Sequence, residues 1–148
     1  MITADEVLEI FEDSGALLKG HFVLSSGRHA DTYLNKALVS RFPGPTEQLG
    51  HALADQVRTL SDTPSAFVAP AMGAILFVYE TARALGLPFM YTEREAGVFT
   101  FRRGFALQPG QKVVVVEDFV STGLSARECV DAVRAAGGEH LAVICLIA

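Results

Sequence analysis

Two adjacent carboxylates, Glu117 and Asp118, close an apolar run and stand just ahead of a loop of small, hydroxylated residues, Ser121-Thr122-Gly123-Leu124-Ser125. A loop that runs into a helix offers unpaired backbone N–H groups and the positive end of the helix dipole, which suits a phosphate. Gly123 lets the backbone approach a ligand closely, and the Ser and Thr hydroxyls add donors. The carboxylates cannot bind a phosphate themselves. They suit hydroxyl groups on the same ligand, or a Mg²⁺ that it carries. A sugar phosphate meets all these demands, although a buried strand followed by an ordinary capped helix would also read this way.

The elements that must position these groups follow from apolar periodicity. Four valines, Val113–Val116, form a strand (residues 112–118) buried on both faces, as in a parallel sheet. Ligands of open α/β sheets bind beyond the carboxyl ends of such strands. The helix after the loop spans 123–136 and stops at Gly137-Gly138. Upstream, Thr3 caps a helix that runs through Phe11, and HFVLSSGRHADTYLNK reads as short strands around a Ser-Gly turn. Pro43-Gly44-Pro45 acts as a breaker before a helix over 46–60, with Leu49, Leu53, Val57 and Leu60 facing inward. A strand at 66–69, a helix ending at Gly86, and strands PFMYT and VFTFRR lead to the central strand. LAVICLIA reads as a further doubly buried strand. The alternation implies an α/β fold, a mostly parallel twisted sheet flanked by helices in one domain over residues 1–148.

Composition narrows the function classes. Half of the 148 residues are hydrophobic, which opposes disorder. With 17 acidic against 12 basic residues the net charge is −5, so non-specific nucleic-acid binding is not expected. The first residues, MITADEVLEIFED, lack the basic-then-apolar order of a signal peptide. The apolar stretch 66–79 is short and interrupted by Pro70 and Gly73, so no membrane span is expected and the cytoplasm is the implied location. Cys129 and Cys145 read as reduced, buried thiols. His21, His51 and His140 show no metal-ligand spacing, and His29 reads as a solvated turn residue. No Walker loop, hydrolytic triad or redox pair occurs.

The segment VVVVEDFVSTGLS closely resembles the phosphoribosyl pyrophosphate (PRPP) motif of type I phosphoribosyltransferases: an apolar run, two acidic residues, two apolar residues, then Ser/Thr around a glycine. GALLKGHFVLSSGRHADTYLNK is similar to the opening of the orotate phosphoribosyltransferases. APAMGA resembles that family's pyrophosphate loop, and TEREAGVFTFRRGF its lid hairpin. The resemblance implies a type I phosphoribosyltransferase fold with an N-terminal hood segment and the lid. It implies transfer of phosphoribosyl from PRPP to orotate, with Mg²⁺ carried by PRPP and not by direct protein ligands, in a homodimer. Glu117 and Asp118 would be the catalytic pair, holding ribose hydroxyls and the metal shell. Phe119, Val120, Ser121, Thr122, Gly123, Leu124 and Ser125 would bind PRPP, residues 121–125 anchoring its 5′-phosphate, with Arg94, Met72 and Gly73 toward the pyrophosphate. Ser121, Tyr33 and Leu34 would meet orotate. A phosphoribosyltransferase for another base, such as a purine, and a non-catalytic PRPP-binding regulator are the alternatives.

Three features depart from the family pattern. Glu93 stands where the lid usually has an arginine, while Arg94 matches its lysine. Arg102 and Arg103, read as successive strand residues, point to opposite faces, so at most one can serve the site. Gly73 stands where some relatives place a lysine, which leaves backbone N–H groups to do the work. In the family, the strand equivalent to LAVICLIA continues into an Asp-Arg segment whose arginine meets orotate. Here that arginine would fall past Ala148, so the chain reads as truncated, naturally short, or built with another base pocket. Lys36 is either an exposed strand-end lysine or an aid to an anionic substrate.

Overall fold

The structure, a computed structural model, describes residues 1–24 and 27–148; Ser25 and Ser26 of the expected N-terminal turn lie outside the described residues. Five strands form the main sheet: β3 (Ala66–Pro70), β4 (Phe89–Glu95), β5 (Val98–Phe101), β6 (Lys112–Phe119) and β7 (Glu139–Ile147). Their order is β5-β4-β3-β6-β7, parallel except for β5, which pairs antiparallel with β4. β1 (Leu17–Val23) and β2 (His29–Leu34) form a separate antiparallel hairpin. The helices are α1 (Ala4–Asp13), α2 (Lys36–Ser40), α3 (Pro43–Arg58), α4 (Ile75–Leu85) and α5 (Leu124–Ala135).

The strand period divides the core. Val114 and Val116 of β6 join Phe67 and Ala69 of β3 and the apolar faces of α1, α3 and α4. Val113 and Val115 join Ala66, Val68, Met90 and the inner face of α5 on the other side. All four valines are fully buried, so the central strand is covered on both faces as its sequence demands. β7 departs from its reading. It is the sheet's edge strand and half-buried along most of its length, with Ile144 its one buried residue.

Two helices also differ from the sequence reading. Pro43, Gly44 and Pro45 lie inside the first turn of α3 instead of preceding it, because a helix's first N–H groups have no intrahelical partner and proline loses nothing there. α2 is an additional short helix, pinned where the Asn35 N–H donates to the Ala16 carbonyl at 2.8 Å. α1 follows its reading. Thr3 accepts from the Glu6 N–H at 3.2 Å, and Glu6 accepts from the Thr3 N–H at 2.6 Å, a reciprocal capping box.

Helices α3 and α4 meet at Gly50, where a Cβ would come 2.9 Å from the Glu80 carbonyl carbon and 3.1 Å from the Thr81 nitrogen. Alanine normally favours a helix over glycine by about 1 kcal/mol. Here the overpacking outweighs that gain. Gly50→Ala is expected to lower stability by about 2 kcal/mol in chemical denaturation. An unchanged or raised midpoint would show that α3 and α4 separate freely.

Candidate active site

Strand alternation continues past the valines, and it parts the two carboxylates. Glu117 shares the side of Val113 and Val115, toward α5; Asp118 shares the side of Val114 and Val116, toward α3 and α4. Both are nearly fully buried, at 6% and 3% exposure. Glu117 Oε2 accepts from the Ser125 hydroxyl at 2.6 Å, and Oε1 accepts from the Asp118 N–H at 3.2 Å. Burial, more than the neighbouring Asp118 charge, pushes the Glu117 carboxyl up to about 7, while the Ser125 hydrogen bond opposes the shift.

Asp118 Oδ1 accepts from the Phe119 N–H at 2.7 Å, which orients the carboxylate. Its Oδ2 accepts no hydrogen bond among the described residues, although the Lys36 ammonium stands 3.4 Å away. Gly73 lies against the same oxygen: a Cβ there would sit 2.7 Å from Oδ2. The 71–74 segment at the end of β3 therefore approaches Asp118 as closely as it does only because position 73 has no side chain.

The loop after β6 runs into α5 through Gly123, which caps the helix in the left-handed region at φ 80°. The Leu124 N–H donates to the Thr122 hydroxyl oxygen at 3.3 Å. A cleft of about 210 Å³ is lined by Arg94, Glu117 and residues 119–126. A loop, the start of a helix and a buried carboxylate thus converge on one small polar cleft, as a phosphorylated ligand with hydroxyl groups requires.

Known proteins resemble this chain in sequence and fold. The family model for the Phosphoribosyl transferase domain matches residues 45–148. Orotate phosphoribosyltransferase of Caulobacter vibrioides (strain NA1000 / CB15N) is 51% identical over 146 residues, covering 99% of this chain and 75% of that protein. The chain belongs to the orotate phosphoribosyltransferase family. The Maricaulis maris (strain MCS10) member is 52% identical over 147 residues, covering 99% of this chain and 76% of that protein. The crystal structure of Mycobacterium tuberculosis H37Rv orotate phosphoribosyltransferase in complex with inorganic phosphate superposes with a TM-score of 0.72 at 27% identity, covering 96% of this chain and 80% of that one.

Within this orotate phosphoribosyltransferase fold, residues 119–125, expected to bind PRPP, line one cleft with Glu117. Arg94, expected toward the pyrophosphate with Met72 and Gly73, lines this same cleft, while Asp118 faces the other side of the strand, against Gly73 and Lys36. Gly73 is at Asp118, whereas the neighbouring Met72 is exposed. Tyr33 stands on the exposed β1–β2 hairpin with its ring 5.7 Å from Phe22, and Leu34 packs against the main core; neither lines the cleft.

The lid cations are all engaged. Arg94 pairs with Glu128 at 2.7 Å and lies 4.1 Å over the Phe99 ring. Arg103 donates to both Glu93 oxygens, at 2.7 and 2.9 Å, and Arg102 is 3.9 Å from Glu95. Arg102 and Arg103 are not strand residues as expected. β5 ends at Phe101, and Arg103 occupies the turn at φ 60°. Sequence reading also missed the pairing of His21 with His29, 2.5 Å apart across the hairpin, and the approach of Lys36 to Asp118. The antiparallel register could have signalled the first; nothing in linear spacing signals the second. Cys129 and Cys145 are free thiols, and burial pushes Cys129 up to about 12.

The raised carboxyl of Glu117 gives stability a definite pH dependence. Its folded value, about 7, lies above the ordinary 4.5, so the folded chain holds a proton that the unfolded chain releases. The stabilisation is full below pH 4.5 and is lost as pH rises toward 7. Denaturation across that window should show the parent losing on the order of 2 kcal/mol more than Glu117→Gln. Parallel curves would exclude Glu117 as the buried proton.

Proposed function

We propose that this chain transfers the 5-phosphoribosyl group of PRPP to orotate, giving orotidine 5′-phosphate and pyrophosphate. The observation that carries the reading is the pair of buried carboxylates at the end of β6, Glu117 beside the small-residue loop and Asp118 on the other side against Gly73 and Lys36. Backbone N–H groups of residues 121–125 would anchor the 5′-phosphate, with Glu117 and Asp118 accepting from ribose hydroxyls. As the bond from ribose C1 to the pyrophosphate oxygen breaks, positive charge grows on C1 and the ring oxygen. A ring nitrogen of orotate then supplies the new bond's electron pair, and its proton passes to water or to the departing pyrophosphate. Holding the base in line and excluding water accelerate this without a protein nucleophile.

A Mg²⁺ ion fits the residues present. Carried by PRPP, the ion would need no direct protein ligand; Asp118 Oδ2, buried and without a hydrogen bond among the described residues, could accept from a water of its shell. Among those residues no three His, Cys, Asp or Glu side chains converge, so ligand oxygens and water would complete the shell. When bound with PRPP, Mg²⁺ would neutralise charge on the departing pyrophosphate. No helix among the described residues is long and apolar enough to cross a membrane. A homodimer in the cytoplasm, working on small molecules without nucleic acid, completes the proposal.

Purified protein incubated with Mg²⁺, PRPP and either orotate or a purine base should yield orotidine 5′-phosphate. Purine nucleotide would move the assignment to another base, and PRPP binding without any nucleotide would make the chain a regulator. In the active protein, Asp118→Asn should keep the fold while losing on the order of 2–4 kcal/mol of transition-state stabilisation in kcat/KM. Parent-like turnover would remove Asp118 from the site. Light scattering at working concentration should report a dimer; a monomer that is fully active would refute that part.

A further inference from the structure

The two sides of the β6 end are chemically different, and the difference singles out Lys36. On the Glu117 side lie Ser125 and the phosphate-type loop. On the Asp118 side lie Gly73 and Lys36, whose Cε is 3.9 Å from the position of a Cβ at residue 73. Lys36 Nζ is 3.4 Å from Asp118 Oδ2, 3.5 Å from Oδ1 and 5.8 Å from the Phe119 ring centroid. The Lys36 side chain is 32% exposed, so its ammonium sits at the boundary between a buried carboxylate and solvent.

A ligand held by its 5′-phosphate at residues 121–125 and by its ribose hydroxyls at the acidic pair extends away from α5. β3 neighbours β6 in the sheet, so the next segment it meets is 71–74. A diphosphate arriving there meets backbone at position 73, because a side chain would collide with Asp118. The positive charge must come from elsewhere in the fold. α2 delivers it from its first residue.

We propose that Lys36 is the cation that receives the pyrophosphate end of PRPP, resting on Asp118 until the ribose hydroxyls take over that carboxylate. The proposal rests on the functional reading above. Exchange of partners keeps both charges satisfied throughout: hydroxyl donors replace the ammonium at Asp118, and the pyrophosphate replaces the carboxylate at Lys36. A lysine suits this better than an arginine-type fork, since its flexible stem can swing between two acceptors.

The test compares Mg²⁺-PRPP with ribose 5-phosphate, which lacks the diphosphate, by titration calorimetry on the parent, Lys36→Met and Lys36→Arg. Loss of one charge-assisted contact should weaken PRPP binding about ten- to a hundredfold in Lys36→Met. Ribose 5-phosphate affinity should stay within about twofold, a shift of under half a kcal/mol, and Lys36→Arg should recover most of the PRPP loss. KM for PRPP should rise while KM for orotate holds. Equal weakening of both ligands would reduce Lys36 to a support for Asp118, and a rise confined to the KM of orotate would assign it to the base; either overturns the inference. Unchanged PRPP affinity in a folded Lys36→Met protein also overturns it. A parent chain that binds neither ligand overturns the functional reading itself, a result distinct from all of these.

Discussion

The alternation of side chains along β6 is the constraint on which the rest of the site depends. A strand covered on both faces must bury its valines in two separate cores, and the same alternation carries on to its last polar residues. Glu117 and Asp118 are adjacent in the chain yet serve different neighbourhoods. One touches α5 and its loop; the other touches α2 and the end of β3. A shift of one residue in the pairing of β6 with β3 would exchange the two carboxylates and bring charge into the valine layers. The hydrophobic core therefore fixes the chemistry of the strand end as firmly as it fixes the sheet.

Burial makes these two carboxylates costly in different ways. Glu117 relieves the cost by a hydroxyl hydrogen bond and by holding its proton to about neutral pH. Asp118 relieves it with a backbone N–H and a lysine ammonium at ion-pair distance. The second solution is incomplete, since Asp118 Oδ2 lacks a hydrogen bond among the described residues. Incomplete satisfaction of a buried acceptor next to an open cleft leaves room for a ligand to complete it.

Much of this was legible in the sequence because it depends on local pattern. The valine run, the acid pair and the Ser-Thr-Gly loop are contiguous, and their backbone consequences follow from strand period and helix-start geometry. The capping box at Thr3 and Glu6 and the left-handed Gly86 cap are local in the same way. What was not legible depends on distance along the chain. Lys36 and Asp118 are 82 positions apart, and no periodicity ties them. β5 ends before Arg102 although no glycine or proline breaks the run until Gly104, because a turn bends the chain after Phe101 and lets Arg103 reach back to Glu93. β7 was misjudged for a related reason: an apolar strand at a sheet edge has the same sequence signature as one in the middle.

The β4–β5 hairpin holds Arg103 to Glu93 and Arg102 to Glu95 by exposed ion pairs, and Arg94 to a half-buried Glu128 whose Oε2 lies out of solvent. Exposed pairs of this kind are worth about 0–1 kcal/mol each and weaken as mobile ions crowd around them. The hairpin is therefore tuned to ionic strength. At low salt its guanidinium groups stay with their carboxylates, and an anion must compete for them. Near physiological salt, where the screening length is about 8 Å, these partnerships exchange readily. Arg94 is the exception: an anion that draws it into the cleft must leave the buried Glu128 Oε2 without its cation.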